Sequence, residues 1–333
     1  MKPLSPAARP YLVLATTIVF LALIDGLSGN VLSHATAFST LQYLATVGPV
    51  ALGLGMTMLI REYDLSVAGV FSLASCIAVL LGQENPVIGL AAAVSVGGIV
   101  GCAQGVAISR LHLPSISVTL GGLLTTVGLA YVLTENKTLV YNNIDLALSM
   151  NERIAGLFTF RSLVACGLFV FIAIVIRWVC IGRDLVAIGS DPRAAYTAGV
   201  RVGPLIVLVF TGSGLLAAFS GGLLGYSLAS ASPSGLSDVL VPATAAAILG
   251  GVSLSGGTGT PLGIATGVLI LGVLRAGLNA LGAPPFAHDI SMGAVLLLVA
   301  IVDAPGLGVQ LQRVVAFIGG AQERNPRTLG ADE

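Results

Sequence analysis

Long apolar runs separated by short polar breaks make up most of this chain. Each run is close to the roughly 20 residues that a helix needs to cross a hydrocarbon core about 30 Å thick. The runs lack the alternation over about ten residues that membrane β-strands show. The pattern therefore predicts an all-α polytopic membrane protein with about ten transmembrane helices. The predicted crossings are 11–31, 41–60, 64–82, 86–108, 115–134, 162–181, 204–230, 239–254, 258–281 and 287–303.

Three of these crossings are interrupted. Gly or Pro lies inside the second, the third and the eighth, and the break between the second and third, Arg61–Asp64, is very short. Such residues are tolerated within a membrane where neighbouring groups satisfy the freed backbone. We expect some of these segments to be broken or re-entrant.

Composition supports a membrane location. The chain is 56% hydrophobic and 9% charged, with a mean hydropathy of +0.98, and its charged fraction is about a third of that of a soluble domain. Zero net charge and the lack of a basic tract argue against binding to nucleic acid. The four cysteines have no paired spacing, so neither a disulfide framework nor a zinc site is indicated.

The basic residues indicate the orientation, since cytoplasmic loops collect Lys and Arg. With a cytoplasmic N-terminus, most of the 15 basic residues lie inside. The N-terminal segment 1–10 and the tail 304–333 are then cytoplasmic, they flank a transmembrane domain at 11–303, and 135–161 is the main outer loop. The basic residues placed inside are Lys2, Arg9, Arg61, Arg110, Arg177, Arg183, Arg193, Arg201, Arg313, Arg324 and Arg327.

A charged island at 182–204 interrupts the apolar sequence. Asp191 and Pro192 form a helix-start signal, and Gly199 is a suitable left-handed stop. A helix of about two turns is unstable alone in water, so packing against another part of the chain or another protein must hold it. An ordinary connecting loop is the alternative interpretation.

No catalytic motif accompanies these features. The richest glycine stretch, 248–263, lacks the lysine of a phosphate-binding loop, so the chain is not expected to hydrolyse ATP. Neither a metalloprotease motif nor a supported nucleophile elbow is present, and the three histidines are scattered. We expect a non-enzymatic chain with no metal or cofactor of its own.

Polar residues inside the predicted crossings are candidates for a translocation path. A charge at a helix centre costs about 2.5–3.5 kcal/mol on insertion scales, so Arg275, with Asn279 one turn later, should face protein or water. Snorkelling of Arg275 to the outer surface is an equal alternative. Gln104 is placed similarly. Asp64, with Ser66 nearby, either lines a gate or, as we favour, is the N-cap of the third crossing.

Gly256 and Gly257 have two interpretations as well. Glycines let helix backbones approach closely in lipid, and they also form irregular bends beside a water-filled path. Close packing is the favoured interpretation, and direct contact with a solute in the path is the alternative.

Three ordered motifs resemble the permease subunit of ribose-type sugar ABC importers, in the branched-chain amino acid/sugar permease superfamily. Tyr63–Ala68 (YDLSVA) stands in for the family's IDLSVG. Ala187–Gly199 resembles its AIGGN..AA...G. Leu249–Gly263 (LGGVSLSGGTGTPLG) matches nearly all of the family's third, glycine-rich motif.

The resemblance implies a bacterial inner-membrane importer of a sugar or related small polar solute that works by alternating access. It implies ATP-binding cassette subunits, which bind ATP and Mg, an outer solute-binding protein and a second permease copy or paralogue. The island would then be the cytoplasmic coupling helix, with Arg193 where many importers carry Glu. A stand-alone secondary carrier or facilitator is the alternative, although it has no use for the island. The coupling residues implied are Asp191, Pro192, Arg193, Ala194, Ala195 and Gly199.

Overall fold

A computed structural model describes residues 33–233 and 237–303, together with residues 11, 14, 15 and 17–19. Most of the first predicted crossing, 11–31, and all of segments 1–10 and 304–333 lie outside the described residues. Helices dominate. They are α1 (His34–Leu59), α2 (Val67–Leu81), α3 (Pro86–Leu111), α4 (Ser115–Thr134), α5 (Ile144–Asn151), α6 (Phe160–Trp178), α7 (Cys180–Ser190), α8 (Pro192–Thr197), α9 (Val202–Ser227), α10 (Leu240–Leu249), α11 (Pro261–Ala280) and α12 (Pro285–Asp303).

The remaining regular elements are small. Strands β1 (Leu139–Val140) and β2 (Ser230–Ala231) pair antiparallel, and a 3-10 turn covers Ser237–Val239. The chain divides into two compact units, Met1–Met292 and Gly293–Glu333. The packing described below lies within the first unit.

Six helices of the described residues are long and apolar enough to cross a membrane: α1, α3, α4, α6, α9 and α11. Their positions match six predicted crossings to within a few residues at most ends. Local signals explain the starts of two of them. Asn85 caps α3 ahead of Pro86, and Pro114 directly precedes α4.

The third and eighth predicted crossings form shorter apolar helices. The ten residues of α10 span about 15 Å, which is half of a hydrocarbon core. The chain leaves α10 at Gly250 and continues without regular structure to Thr260. Segment 239–254 is therefore not one continuous helix, which agrees with the expectation of broken segments.

Helix α9 packs on α1, α2 and α3, while α11 packs on α1 and α10. Where α3 and α9 cross, the main chains of the two helices are in direct contact. A Cβ atom on Gly97 would lie 2.5 Å from the carbonyl oxygen of Gly214, and one on Gly101 would lie 2.2 Å from that of Phe210. Because lipid supplies no hydrophobic attraction between helices, close van der Waals approach of this kind holds them together.

The island begins with a helix, α7, that the sequence interpretation missed. A break at Val179 separates α7 from α6, and the buried residues of α7 are Gly182, Leu185, Ile188 and Gly189. Their spacing of three to four is the signal of an amphipathic helix. The charged residues between these positions obscure the amphipathic pattern in the sequence.

Loop 135–161 is only partly helical. Its helix, α5, covers Ile144–Asn151. The Asn151 Nδ2 donates a hydrogen bond to the carbonyl oxygen of Ser227, 2.8 Å away. This bond ties the loop to the end of α9.

Candidate functional site

The predicted path residues lie in three separate places: a cavity, a buried cluster and a junction at the island. The cavity has a volume of about 420 Å³, which is within the usual range of small-molecule sites, about 300–1,000 Å³. Helices α1 and α11 supply most of its wall. Its polar lining residues are Ser39, Gln42, Tyr43, Thr46, Asp238, Arg275 and Asn279.

Arg275 and Asn279 lie one turn apart on α11, as the sequence predicted. The Arg275 guanidinium lies over the Tyr43 ring, 5.7 Å from the ring centroid. Asp238 lines the same cavity, so its wall carries one formal charge of each sign. Such a wall can hydrogen-bond a polar solute without requiring a net charge on it.

A buried arginine stands behind the cavity wall. Arg161 is 4% exposed; its Nη1 donates to the Ser227 hydroxyl at 2.8 Å, and its Nη2 donates to the Thr46 hydroxyl at 2.7 Å. The residue thereby joins α6 to α9 and α1. The sequence interpretation placed Arg161 in the outer loop and gave it no role.

The buried carboxylate cluster consists of Asp64, Ser66, Gln104 and Ser213. Asp64 is fully buried. Its Oδ1 accepts hydrogen bonds from the Ser66 N–H at 3.0 Å and the Ser66 hydroxyl at 2.6 Å, and its Oδ2 accepts one from the Ser213 hydroxyl at 2.7 Å. The Ser66 hydroxyl also lies 2.9 Å from Oε1 of Gln104.

The N-cap interpretation of Asp64 holds for its hydrogen bond but not for its position, because its Oδ1 accepts the Ser66 N–H at the start of α2. Ser66 occupies the N-cap position of α2, and Asp64 precedes it by two residues. The carboxylate does not cap an exposed helix end. It joins the start of α2 to α3 and α9 inside the protein, and none of the cluster lines the cavity.

Gln104 is fixed by its packing. A Cβ atom on Gly122 would lie 1.9 Å from Gln104 Nε2, so α4 approaches α3 closely at this point. That Nε2 atom is buried and has no hydrogen-bond partner among the described residues. The side chain therefore depends on Gly122 for its space, and its Oε1 lies against the Ser66 hydroxyl.

Gly256 and Gly257 belong to the island junction, which we define as Leu59, Arg61, Gly189, Ser190, Gly256 and Gly257. Both glycines have left-handed backbones, with φ of 77° and 75°. The Gly257 N–H donates to the carbonyl oxygen of Leu59 at 2.9 Å. Both contact the island and not the cavity, which favours the packing interpretation over contact with a solute.

Arg61 connects the end of α1 to the island. Its Nε donates a hydrogen bond to the carbonyl oxygen of Gly189, and its Nη2 donates one to that of Ser190. The residue itself has a left-handed backbone, with φ of 65°. No local sequence pattern predicts this contact, because the partners are 128 and 129 residues away.

The short helix α8 forms at the predicted position. The Asp191 carboxylate accepts hydrogen bonds from the N–H groups of Ala194 and Arg193, which lower the pKa of that carboxyl below its usual value. Pro192 is in the first turn, and Gly199 ends the segment with φ of 87°. The capping and stop signals are confirmed.

One residue anchors α8 to the protein. Ala195 is buried in a hydrophobic cluster with Leu59, Ile60 and Leu185. In contrast, Tyr196 is 73% exposed. The short helix therefore rests on the end of α1 and presents its other side outward.

The described geometry is that of a membrane protein with a polar cavity and an exposed, capped segment between two long helices. The model of the family "Branched-chain amino acid transport system / permease component" matches residues 36–300. The chain belongs to this permease family.

Named relatives fit the same class. The chain is 30% identical to the fructose import permease protein of Rhizobium meliloti, over 90% of this chain and 85% of the relative. It is 29% identical to the ribose import permease protein of Escherichia coli K12, over 87% and 92%. The L-arabinose transport system permease protein of the same strain is 31% identical, over 77% and 78%. No solved structure matches the chain significantly.

Proposed function

We propose that this chain is the transmembrane permease subunit of an ATP-driven, binding-protein-dependent importer. It carries a sugar or related small polar solute across the bacterial inner membrane by alternating access. Membership of the permease family and similarity to fructose, ribose and arabinose import permeases support this function. The same findings argue against a stand-alone carrier.

The observation that carries the proposal is the exposed helix α8. A helix of six residues has no stability of its own in water, yet it is capped at Asp191, stopped at Gly199 and anchored by Ala195. Its remaining side chains are exposed, including Arg193 and Tyr196. We assign this surface as the coupling helix that docks on the ATP-binding cassette subunits.

The cavity is proposed as part of the translocation path. Arg275 and Asn279, with the polar residues of α1, offer donors and acceptors for hydroxyl groups. The buried carboxylate cluster fixes helices beside the path and touches no solute. Gly256 and Gly257 act at the junction with the island.

The proposed assembly has further parts. It contains two ATP-binding cassette subunits that hold ATP and Mg, a solute-binding protein on the outer side, and a second permease copy or paralogue. This chain supplies no cofactor, and its own partners besides these proteins are membrane lipids. About ten crossings with both termini cytoplasmic complete the proposed topology.

The test is copurification of the tagged chain with its candidate ATP-hydrolysing subunit. In one variant, a Gly/Ser linker replaces 193–198. A matched control replaces six residues of the other large loop, 152–157, in the same way. Proteoliposomes with and without ATP are then assayed for uptake of radiolabelled ribose, fructose and L-arabinose.

The proposal expects the intact chain and the 152–157 variant to retain the ATP-hydrolysing subunit, and the 193–198 variant to lose it. It expects uptake to require ATP. If the intact chain binds no such subunit and moves sugar without ATP, the importer function is wrong and the carrier takes its place.

A further inference from the structure

We propose that Arg61 is a positioning residue that transmits movement of the island to helix α1, and through α1 to the cavity. This inference rests on the proposed function, because the movement would originate in the ATP-hydrolysing subunits. It adds a route by which movement of the ATP-hydrolysing subunits reaches the proposed translocation path.

The first observation is the position of the two acceptors. Arg61 donates to the carbonyl oxygens of Gly189 and Ser190, the last two residues of α7. The next residue, Asp191, is the N-cap of α8. A displacement of α8 therefore acts directly on the carbonyl groups that Arg61 holds.

The second observation is a pair of backbone contacts beside Arg61. A Cβ atom on Gly189 would lie 1.9 Å from the Leu59 carbonyl oxygen, and the same oxygen accepts the Gly257 N–H. Leu59 is the last residue of α1. The end of α1 is thus held between the island and the loop that follows α10. Both contacts to the Leu59 carbonyl oxygen are made by glycines, so no side chain there can change rotamer when the island moves.

The third observation is the reach of α1. Its 26 residues extend about 39 Å, and Gln42, Tyr43 and Thr46, in the half of α1 away from Leu59, line the cavity. A rigid displacement at Leu59 must therefore change the shape of the cavity wall.

Pro49 lies in the middle of α1 and could weaken this transmission, since proline removes one hydrogen bond of the helix. The Ser220 hydroxyl of α9 lies 2.7 Å from the Thr46 carbonyl oxygen and 3.4 Å from that of Ala45. Ala45 is the carbonyl that Pro49 leaves without its helical donor. The interruption is therefore braced by a neighbouring helix.

The guanidinium suits this role because its planar fork can donate to two neighbouring oxygens at once. Lysine is a single point charge on a flexible stem and holds both carbonyls less well. Arg61→Lys should therefore transmit movement only partly.

The test variant is Arg61→Gly. Glycine adopts the left-handed backbone of this position readily, so the change removes the side chain while relaxing the chain. Arg183→Ala is the matched control, since its guanidinium reaches only Cys180 of its own helix, α7, among the described residues. Full complexes are reconstituted with the ATP-hydrolysing subunit and the solute-binding protein. Three quantities are measured: retention of the ATP-hydrolysing subunit, ATP hydrolysis, and uptake of the sugar that the unaltered chain transports.

We expect Arg61→Gly to retain the ATP-hydrolysing subunit and to hydrolyse ATP. Its ratio of sugar transported to ATP hydrolysed should fall by about tenfold or more, the scale of losing a charge-assisted hydrogen bond. Arg61→Lys should be intermediate, and Arg183→Ala should match the unaltered chain. A merely structural role would lower hydrolysis and uptake together and leave their ratio unchanged.

An unchanged ratio in Arg61→Gly overturns the inference. Loss of the ATP-hydrolysing subunit from that variant also overturns it, because Arg61 would then only hold the island in place. In both cases, ATP-dependent uptake by the unaltered chain leaves the proposed function standing. If the unaltered chain shows no such uptake, the proposed function fails and the inference fails with it.

Discussion

Gly189 lies against the carbonyl oxygen of Leu59 so closely that a Cβ atom at position 189 would be 1.9 Å from it. A real Cβ cannot occupy that position, and the obstacle is backbone on both sides. We predict that Gly189→Ala separates the island from α1 and lowers ATP-dependent uptake several-fold. The measurement is uptake into proteoliposomes at matched protein content.

The control for this change is Gly167→Ala in α6. A Cβ atom there meets nothing within 4 Å, and alanine is favoured over glycine in a helix by about 1 kcal/mol. Uptake by this variant should be unchanged. Equal uptake by the two variants would show that the contact at Leu59 carries no function.

The buried carboxylate cluster should contribute to stability. Ser213→Ala removes the hydrogen bond to Oδ2 of Asp64 and leaves a buried acceptor unsatisfied, at a cost of about 1–3 kcal/mol. We predict a lower melting temperature for the purified protein in detergent. Ser95→Ala on the exposed side of α3, where the hydroxyl bonds only its own helix, should change stability by less than about 0.5 kcal/mol. Equal melting temperatures would contradict a stabilising role for the cluster.

The cavity residues should act on solute affinity. Arg275→Ala and Asn279→Ala each remove hydrogen-bonding groups from the wall, so we predict that the sugar concentration for half-maximal uptake rises by about tenfold for Arg275→Ala. Binding of the ATP-hydrolysing subunit should be unchanged, since both residues line the cavity and neither belongs to the island junction. Arg110→Ala, at the last turn of α3, is the control. If the sugar concentration for half-maximal uptake is unchanged in both cavity variants, the cavity is not part of the translocation path.

Asp191 should support binding of the ATP-hydrolysing subunit as a hydrogen-bond acceptor that caps α8, as much as through its charge. Asp191→Ala removes the cap of α8 and should weaken binding of the ATP-hydrolysing subunit, whereas Asp191→Asn keeps an acceptor and should bind almost normally. Copurification yields decide this. Equal loss in both variants would point to the charge alone.

The pH dependence of this cap follows from its pKa. Because hydrogen bonds from Ala194 and Arg193 lower the pKa of Asp191 in the folded protein, its contribution is present above the unfolded value of about 3.9. The contribution is lost as the pH falls through the lower, folded value. Between about pH 5.5 and 8, Asp191 should therefore add no pH dependence to subunit binding. A change in binding over that interval that Asp191→Asn abolishes would contradict this assignment.

Local signals account for what the sequence predicted well. Asp191 with Pro192 marks a helix start that the structure contains, because a cap and a proline act within a few residues. Arg275 and Asn279 were found together because a spacing of four places two residues on one face of a helix.

Long-range pairing accounts for what the sequence did not predict. Ser213 is 149 residues from Asp64, and nothing local distinguishes a carboxylate that caps a helix from one that is buried against another helix. The cavity has the same origin, since Gln42 and Tyr43 come from one end of the described chain and Arg275 from the other. The break after α10, by contrast, was expected from the interruptions in the eighth crossing, and several glycines from Gly250 onward adopt left-handed conformations there.

The crossing at Gly97 and Gly214 has a mechanical consequence. Where the main chains of two helices touch, no side chain lies between them at that point that could change rotamer and let one helix slide past the other. Helices α3 and α9 should therefore move together as one rigid body throughout the transport cycle. The sliding surfaces must lie elsewhere, where longer side chains such as Tyr43 and Arg275 stand between α1 and α11.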